Sequence, residues 1–305
     1  MELIGAMRIF HHFAESCIST GVTLPRMPDG SDRPGPLLAT GRTAEVFAWG
    51  DGRVVKVLRP GFPDAMGEAE EVAARLADRA GVGAPAFFGP TRVDGRFGLV
   101  YERVDGESMM ERLTARSSSV GPLARTLGTL HASMHVAAGD ALPPLREELV
   151  RAVTGAARHA GEDAASAALQ RVRGLPDGSA FCHGDFHPGN VMMSAGGPRV
   201  IDWLTASGGP PAADVGRTLF LLRDSRVPSE VPLLRRLRIA LLRRRFVAGY
   251  LAAYRRARPI DMREVWGWRL PILVGRLDED IELERDHLLG LIEAELARTD
   301  GPSLR

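Results

Sequence analysis

The chain is almost without lysine. Among its 39 lysines and arginines, Lys56 is the single lysine. A sequence this biased towards arginine keeps an ammonium where a site needs a compact point charge instead of a guanidinium fork; the alternative is an accident of composition on a strand surface. Cysteine is as scarce. Cys17 and Cys182 are too few for a disulfide framework, and reduced thiols suit a cytoplasmic protein. No run approaches the ~20 apolar residues needed to span a bilayer. Residues 1–13 begin Met-Glu and run into His11-His12 without the basic start of a secretion signal. A cytoplasmic location, with no membrane partner, is the expectation. Formal net charge is only +1, so no global field draws nucleic acid. No internal repeat is present. At 305 residues and 45% hydrophobic, the chain can bury two modest cores sharing one cleft.

What is present concentrates in one stretch, Phe181-Cys182-His183-Gly184-Asp185-Phe186-His187-Pro188-Gly189-Asn190, followed by Val200-Ile201-Asp202-Trp203. Gly184 permits a tight backbone approach and Pro188-Gly189 forces a turn, so Asp185 and Asn190 can face one cleft. Arg199 to Trp203 reads as a short strand that returns Asp202 to the same cleft. Phosphoryl transfer from a nucleotide needs these groups together: a carboxylate (Asp185) to orient a hydroxyl and take its proton, and an amide (Asn190) with a carboxylate (Asp202) to hold Mg²⁺ on the phosphates. A solvated polar loop is the bland alternative. A rival chemistry is a metallohydrolase, because His183, Asp185 and His187 alternate on one side of an extended segment. Only His287 follows them, which makes a histidine-rich cage hard to complete.

Upstream, Arg53-Val54-Val55-Lys56-Val57-Leu58 reads as a strand entered through an Asp51-Gly52 hairpin turn. The loop before it carries Gly41, Thr43 and Ala44, small enough to lay backbone N–H groups over phosphates. Lys56 would then grip the α- and β-phosphates of ATP. An ammonium on a strand needs a carboxylate to fix it, and Asp64 to Ala80 reads as a helix stopped by Gly81. Met66, Ala69, Val72, Ala73, Leu76 and Ala80 form its apolar stripe. Glu71 lies opposite that stripe while Glu68 and Glu70 flank it, and Met66, Ala73 and Ala77 favour Glu70. Ala86 to Val93 and Phe97 to Glu102 follow as two strands joined across Asp94-Gly95. Glu102 and Val104, where strand-like composition gives way to helical, can offer main-chain groups to adenine.

These residues resemble the aminoglycoside phosphotransferase family. The resemblance is carried by Gly41 to Phe47, Lys56, Glu70, Glu102 to Gly106, Leu130-His131, His183 to Asn190 and Ile201-Asp202-Trp203. It implies an α+β, two-lobed protein-kinase-like fold: a small antiparallel-sheet N-lobe with one main helix, a larger and mostly helical C-lobe, and a nucleotide cleft between them. It further implies catalytic Asp185, magnesium ligands Asn190 and Asp202, phosphate lysine Lys56 with partner Glu70, and nucleotide contacts from Gly41, Thr43, Ala44, Glu102 and Val104. ATP, or alternatively GTP, and Mg²⁺ are the implied cofactors, and a small-molecule hydroxyl is the implied acceptor. The expected organisation is an extension and linker at 1–36, the N-lobe at 37–104 with a hinge near 102–105, and the C-lobe at 105–305. The absence of an Ala-Pro-Glu segment after Asp202 weighs against a protein kinase.

Within the larger lobe, Leu123, Leu127, Leu130 and Met134 form an apolar helix face, and Ala152 to Gln170 reads as helical. His131 and His135 lie one turn apart beside that face; a metal pair is one reading, and packing beneath the catalytic loop is the favoured one, as the resemblance also suggests for His131. Asp214 resembles a family aspartate that braces that loop. The basic run from Arg235 to Arg245 interleaves arginine with leucine and reads as a solvated helix face. Asp278 to Asp286 holds six acidic residues in nine. These acids suit either a pocket for a polycationic amino sugar or an exposed acidic helix face. The acceptor classes left open are an aminoglycoside, or a metabolic amino alcohol or sugar; a nucleotide-binding module without catalysis is the third reading.

Overall fold

The computed structural model describes residues 34–115, 119–224 and 231–300. The expectations for residues 1–33, Cys17 among them, fall outside these described residues. Strands β1 (Leu37–Thr40), β2 (Ala44–Ala48) and β3 (Arg53–Leu58), helix α1 (Asp64–Ala80), and strands β4 (Phe87–Val93) and β5 (Arg96–Glu102) open the described chain. The five strands form an antiparallel sheet in the order β1-β2-β3-β5-β4. Alternation along β3 sends Val55 and Val57 to one buried face, shared with Val93 and Val100. Val54, Lys56 and Leu58 therefore take the opposite face, where α1 lies over Phe97, Leu99 and Tyr101. A Cβ at Gly67 would stand 2.3 Å from Phe97 Cδ1, so only glycine lets α1 settle this close to the sheet. The helix ends at Gly81, whose φ of 64° closes the αL cap expected from sequence.

The rest of the chain is mostly helical. In order come β6 (Gly106–Ser108), α2 (Met109–Ala115), α3 (Val120–Met134), α4 (Leu145–Ala160), α5 (Glu162–Gly174), β7 (Ala180–Cys182), β8 (Val191–Ser194), β9 (Gly197–Val200) and β10 (Ser207–Gly209). Helices α6 (Pro211–Arg223), α7 (Leu233–Ala257), α8 (Met262–Gly267), α9 (Arg269–Arg276) and α10 (Glu282–Asp300) complete it. Small sheets β6-β8-β9 and β7-β10 frame the loops between them. The main core gathers Leu127, Phe181, Trp203, Tyr250 and Leu273, all essentially inaccessible to solvent.

Three sequence expectations need adjusting. The helix expected over 152–170 is broken at Gly161, whose φ is 83°. The strand expected to reach Trp203 stops at Val200, and Asp202 sits beyond it in the left-handed region at φ 67°. The basic run opens α7, and the face away from Phe246, Tyr250 and Tyr254 exposes Leu233, Leu234, Leu237 and Leu241 as well as arginines. Among the described residues no helix is long and apolar enough to cross a membrane.

Candidate active site

Lys56 joins the sheet to the loops of the helical region. Its Nζ donates to Glu70 Oε1 at 2.7 Å and Oε2 at 2.9 Å, and to Asp202 Oδ1 at 2.7 Å. Glu70 is 1% exposed, whereas Glu68 stands in solvent. The register of β3 against β5 and the turn of α1 put Glu70 under Lys56, and Tyr101 Oη on β5 donates to Glu70 Oε1 at 3.3 Å. Burial alone would lower the Lys56 pKa, but the carboxylates of Asp202 and Glu70 outweigh it and raise the pKa above the usual lysine range. Burial opposes ionisation of Asp202, and the Lys56 ammonium more than offsets that, holding its pKa low.

The loop 183–190 hangs from a buried carboxylate. Asp214, on the first turn of α6, accepts from His183 N at 2.7 Å and Gly184 N at 2.9 Å. Its Oδ2 also meets His131 Nε2 at 3.0 Å and His135 Nε2 at 3.2 Å. The other ring nitrogens face Tyr250 Oη and Tyr254 Oη, each at 2.7 Å. His131, His135 and Asp214 have the composition of a metal set. Their atoms instead meet at direct hydrogen-bond distance, each ring nitrogen already spent on a carboxylate or hydroxyl, so the cluster is a packing and hydrogen-bonding hub. Burial, with repulsion from His135, lowers the His131 pKa to about 4, so the ring is neutral. Burial opposes the Asp214 charge, but its histidine partners hold its pKa well below the carboxylate range.

Gly184 takes φ 77°, and a Cβ there would stand 2.4 Å from Thr205 O. The tight turn brings Asp185 and Asn190 together: Asn190 Nδ2 donates to Asp185 O at 2.9 Å and to Asp185 Oδ2 at 3.3 Å. Asp185 Oδ1 is buried with no hydrogen-bond partner among the described residues. Burial would raise the Asp185 pKa, but His187, Arg217 and Arg276 bring it far below the ordinary value. The rival hydrolase set does not form. His183 Nδ1 accepts from Asp185 N at 3.2 Å while Nε2 faces Ile201 O at 3.1 Å, and His187 Nδ1 accepts from Gly189 N at 3.0 Å. These imidazoles hold backbone, not a metal.

Lys56, Glu70, Tyr101, Asp185, Asn190 and Asp202 border one cavity of about 560 Å³. Gly41, Thr43 and Ala44 line one part of it, with Gly41 N donating to Ala44 O at 2.8 Å. Glu102 and Val104 line another. The Glu102 amide is taken by Ala86 O at 2.8 Å, so of its main-chain groups the carbonyl is the one a base can use. The sequence singles out neither Arg217 nor Arg276, which also line the cavity, on α6 and α9. Arginine is too common in this chain to mark them, and only helix packing brings them to Asp185. The acidic run from Asp278 to Asp286 is largely neutralised. Glu279 binds Arg42 at 3.1 Å, Arg217 at 2.6 Å and Arg276 at 2.5 Å, Glu284 binds Arg276 at 2.9 Å, Asp278 pairs with Arg158 at 3.3 Å, and Asp280 pairs with Arg285 at 2.6 Å.

A model of the phosphotransferase enzyme family matches residues 36–260. Among solved structures, amicoumacin kinase hAmiN in complex with AMP-PNP, Ca²⁺ and Ami is 15% identical with a TM-score of 0.57, covering 87% of this chain and 88% of that one. An aminoglycoside-3'-phosphotransferase of type VIII is 20% identical with a TM-score of 0.54, covering 81% and 93%. The GDP and kanamycin complex of an APH(2") enzyme is 15% identical with a TM-score of 0.53, covering 90% and 96%. No curated protein matches the chain. At these identities the structural likeness establishes the fold, which is protein-kinase-like, with an antiparallel-sheet N-terminal region and a mostly helical remainder.

Proposed function

The chain belongs to the phosphotransferase enzyme family and is a small-molecule phosphotransferase, and we propose that it moves the γ-phosphate of ATP, or alternatively GTP, to an acceptor hydroxyl oriented by Asp185. The observation that carries this reading is the Lys56 bridge to Glu70 and Asp202, on the same cavity as Asp185, whose Oδ1 has no hydrogen-bond partner among the described residues. Asp185 accepts the hydroxyl proton as the oxygen attacks. Its low pKa makes it a weak base, which suits a transition state in which bond breaking to the phosphoryl group runs ahead of proton transfer. Lys56 holds the α- and β-phosphates in line, Glu70 holds Lys56, and the backbone of Gly41, Thr43 and Ala44 covers the phosphates. The Glu102 carbonyl and the Val104 main chain face the base at a hinge near 102–105, between an N-lobe over 37–104 and a C-lobe beyond it.

The donor set fits Mg²⁺. Asp202 and Asn190 supply hard oxygens, the Asn190 amide nitrogen is spent on Asp185, and the Lys56 ammonium stands where Asp202 meets a cation. When bound, Mg²⁺ would offset charge on the phosphates.

An aminoglycoside acceptor follows from the family. A metabolic amino alcohol or sugar is the second reading, and the paired state of the acidic run favours its uncharged sugar over a cationic acceptor. A catalytically inactive module is disfavoured, because each side chain the reaction needs lines the cavity. Asp185→Ala should slow acceptor-dependent ADP release by about 10²–10⁴-fold while AMP-PNP still binds. Turnover at the wild-type rate would sink the mechanism.

A further inference from the structure

We propose that the acceptor carries an anionic group beside its reacting hydroxyl, and that Arg217 receives that group. The proposal rests on the phosphotransfer reading and names the class of molecule it acts on. The cavity that Asp185 borders is also lined by Leu204, Thr205, Arg217, Arg276, Glu279 and Ile281. Two guanidiniums therefore stand on the wall of the cavity that Asp185 borders.

The two arginines are held differently. Arg276 is 1% exposed and committed, with Nε on Glu284 Oε2 at 2.9 Å and Nη1 on Glu279 Oε2 at 2.5 Å. Arg217 lies over the Phe220 ring, its Cζ 5.7 Å from the centroid. Among the described residues it donates through Nη2 alone, to Glu279 Oε1 at 2.6 Å, so Nε and Nη1 remain for a ligand. A planar fork with open donors on a cavity wall matches a carboxylate or phosphate.

A polycation meets the opposite situation. The one carboxylate that the acidic run contributes to the cavity lining is Glu279, and three arginines already hold it. Arg42, Arg217 and Arg276 stand against Glu279, Glu284 and Asp185, three positive charges to three negative, so no excess of negative charge is left for a cation. An ammonium would have to take Glu279 from its guanidiniums at the cost of leaving them unpaired. An acidic group has only to add to Arg217.

The test uses the full chain with Mg-ATP and acceptors matched in all but charge: glucuronate against glucose and glycerate against glycerol, with kanamycin and choline as cations. The expected result is at least a tenfold higher kcat/KM for the anionic member of a pair. Arg217→Met should then lower the anion-to-neutral ratio at least tenfold, and Arg217→Lys should fall between. Preference for the cations, or a wild-type ratio near one, overturns the proposal. So does an Arg217→Met variant that slows both members of a pair equally, which would assign the guanidinium to the transferred phosphate. Calorimetry on the AMP-PNP-bound protein covers the case in which no acceptor turns over, since failure of every anion to bind there also overturns it. A cation-selective activity that depends on Asp185 would sink only this proposal. Absent AMP-PNP binding, or ADP release indifferent to Asp185→Ala, would sink the phosphotransfer reading itself.

Discussion

The two walls of the cleft hold their charges by opposite means. On the helical side Asp214 is fully buried and takes two backbone N–H groups and two imidazoles, so its partners are fixed. On the sheet side Lys56 is shared between a buried Glu70 and an Asp202 whose side chain is 45% exposed. One carboxylate is anchored on every side; the other is half open and held by a cation that a nucleotide's phosphates can recruit. In the proposed mechanism, the wall that orients the acceptor is built to stay, and the wall that meets the nucleotide is built to exchange partners.

Removing the anchor gives the largest expected loss of stability. Asp214→Ala leaves two buried N–H groups and two ring nitrogens without their acceptor, and should cost about 3–5 kcal/mol in urea denaturation. Asp202→Ala, by contrast, should cost about 1 kcal/mol or less, because Asp202 is half exposed and Lys56 keeps Glu70. Equal losses in the two variants would erase the distinction between the walls.

Acid should find the same anchor. His131 has a folded pKa of about 4, below its ordinary 6.5, so the unfolded chain binds more protons between those values. The stability this burial provides is therefore complete above about pH 6.5 and is lost as pH falls towards 4. The loss reaches about 3 kcal/mol at most, at 1.36 kcal/mol per pKa unit. Asp214, with its depressed pKa, adds a further loss at still lower pH, as it begins to take up a proton. Urea midpoints measured through this range check the slope, and a flat profile from pH 7 to about 4 would mean that His131 is not held neutral.

What could be read in the sequence follows the range of the interactions. Strand alternation set Lys56 opposite Val55 and Val57, and helical periodicity separated Glu70 from Glu71 on α1; both are local and repeat within a few residues. The turn at Gly184 and Pro188-Gly189 was equally visible, because backbone geometry allows few residue types there. Long-range pairing was not visible. The acidic run suits a cation pocket or an exposed face when read alone, and much of its neutralisation comes from Arg42, Arg158 and Arg217, far away in the chain. The αL conformation of Asp202 also left no mark, since nothing in Val-Ile-Asp-Trp distinguishes a strand that continues from one that stops at Val200.

The exchangeable wall should respond to geometry more than to net charge. Lys56→Arg keeps the charge but replaces a point donor that reaches both Glu70 and Asp202 at 2.7 Å with a planar fork. The fork can pair with Glu70 bidentately, and it then turns away from Asp202 and the phosphates. The kcat/KM for ATP should fall roughly tenfold to hundredfold, equivalent to about 1.4–2.8 kcal/mol. Unchanged ATP kinetics would make the lone lysine an accident of composition.

The smallest effect belongs to an exposed ion pair where the two walls touch. Arg42, in the loop between β1 and β2, pairs with Glu279 at 3.1 Å, and the two side chains are 56% and 26% exposed. Solvent screens such a pair, and Glu279 retains Arg217 and Arg276 when Arg42 is removed. Arg42→Ala should therefore change stability by less than about 1 kcal/mol, and the difference should disappear at high salt. Urea denaturation at low and high ionic strength makes the comparison. A larger loss that survives salt would place this contact with the fixed wall, and the cleft would then be braced across its mouth as firmly as beneath its floor.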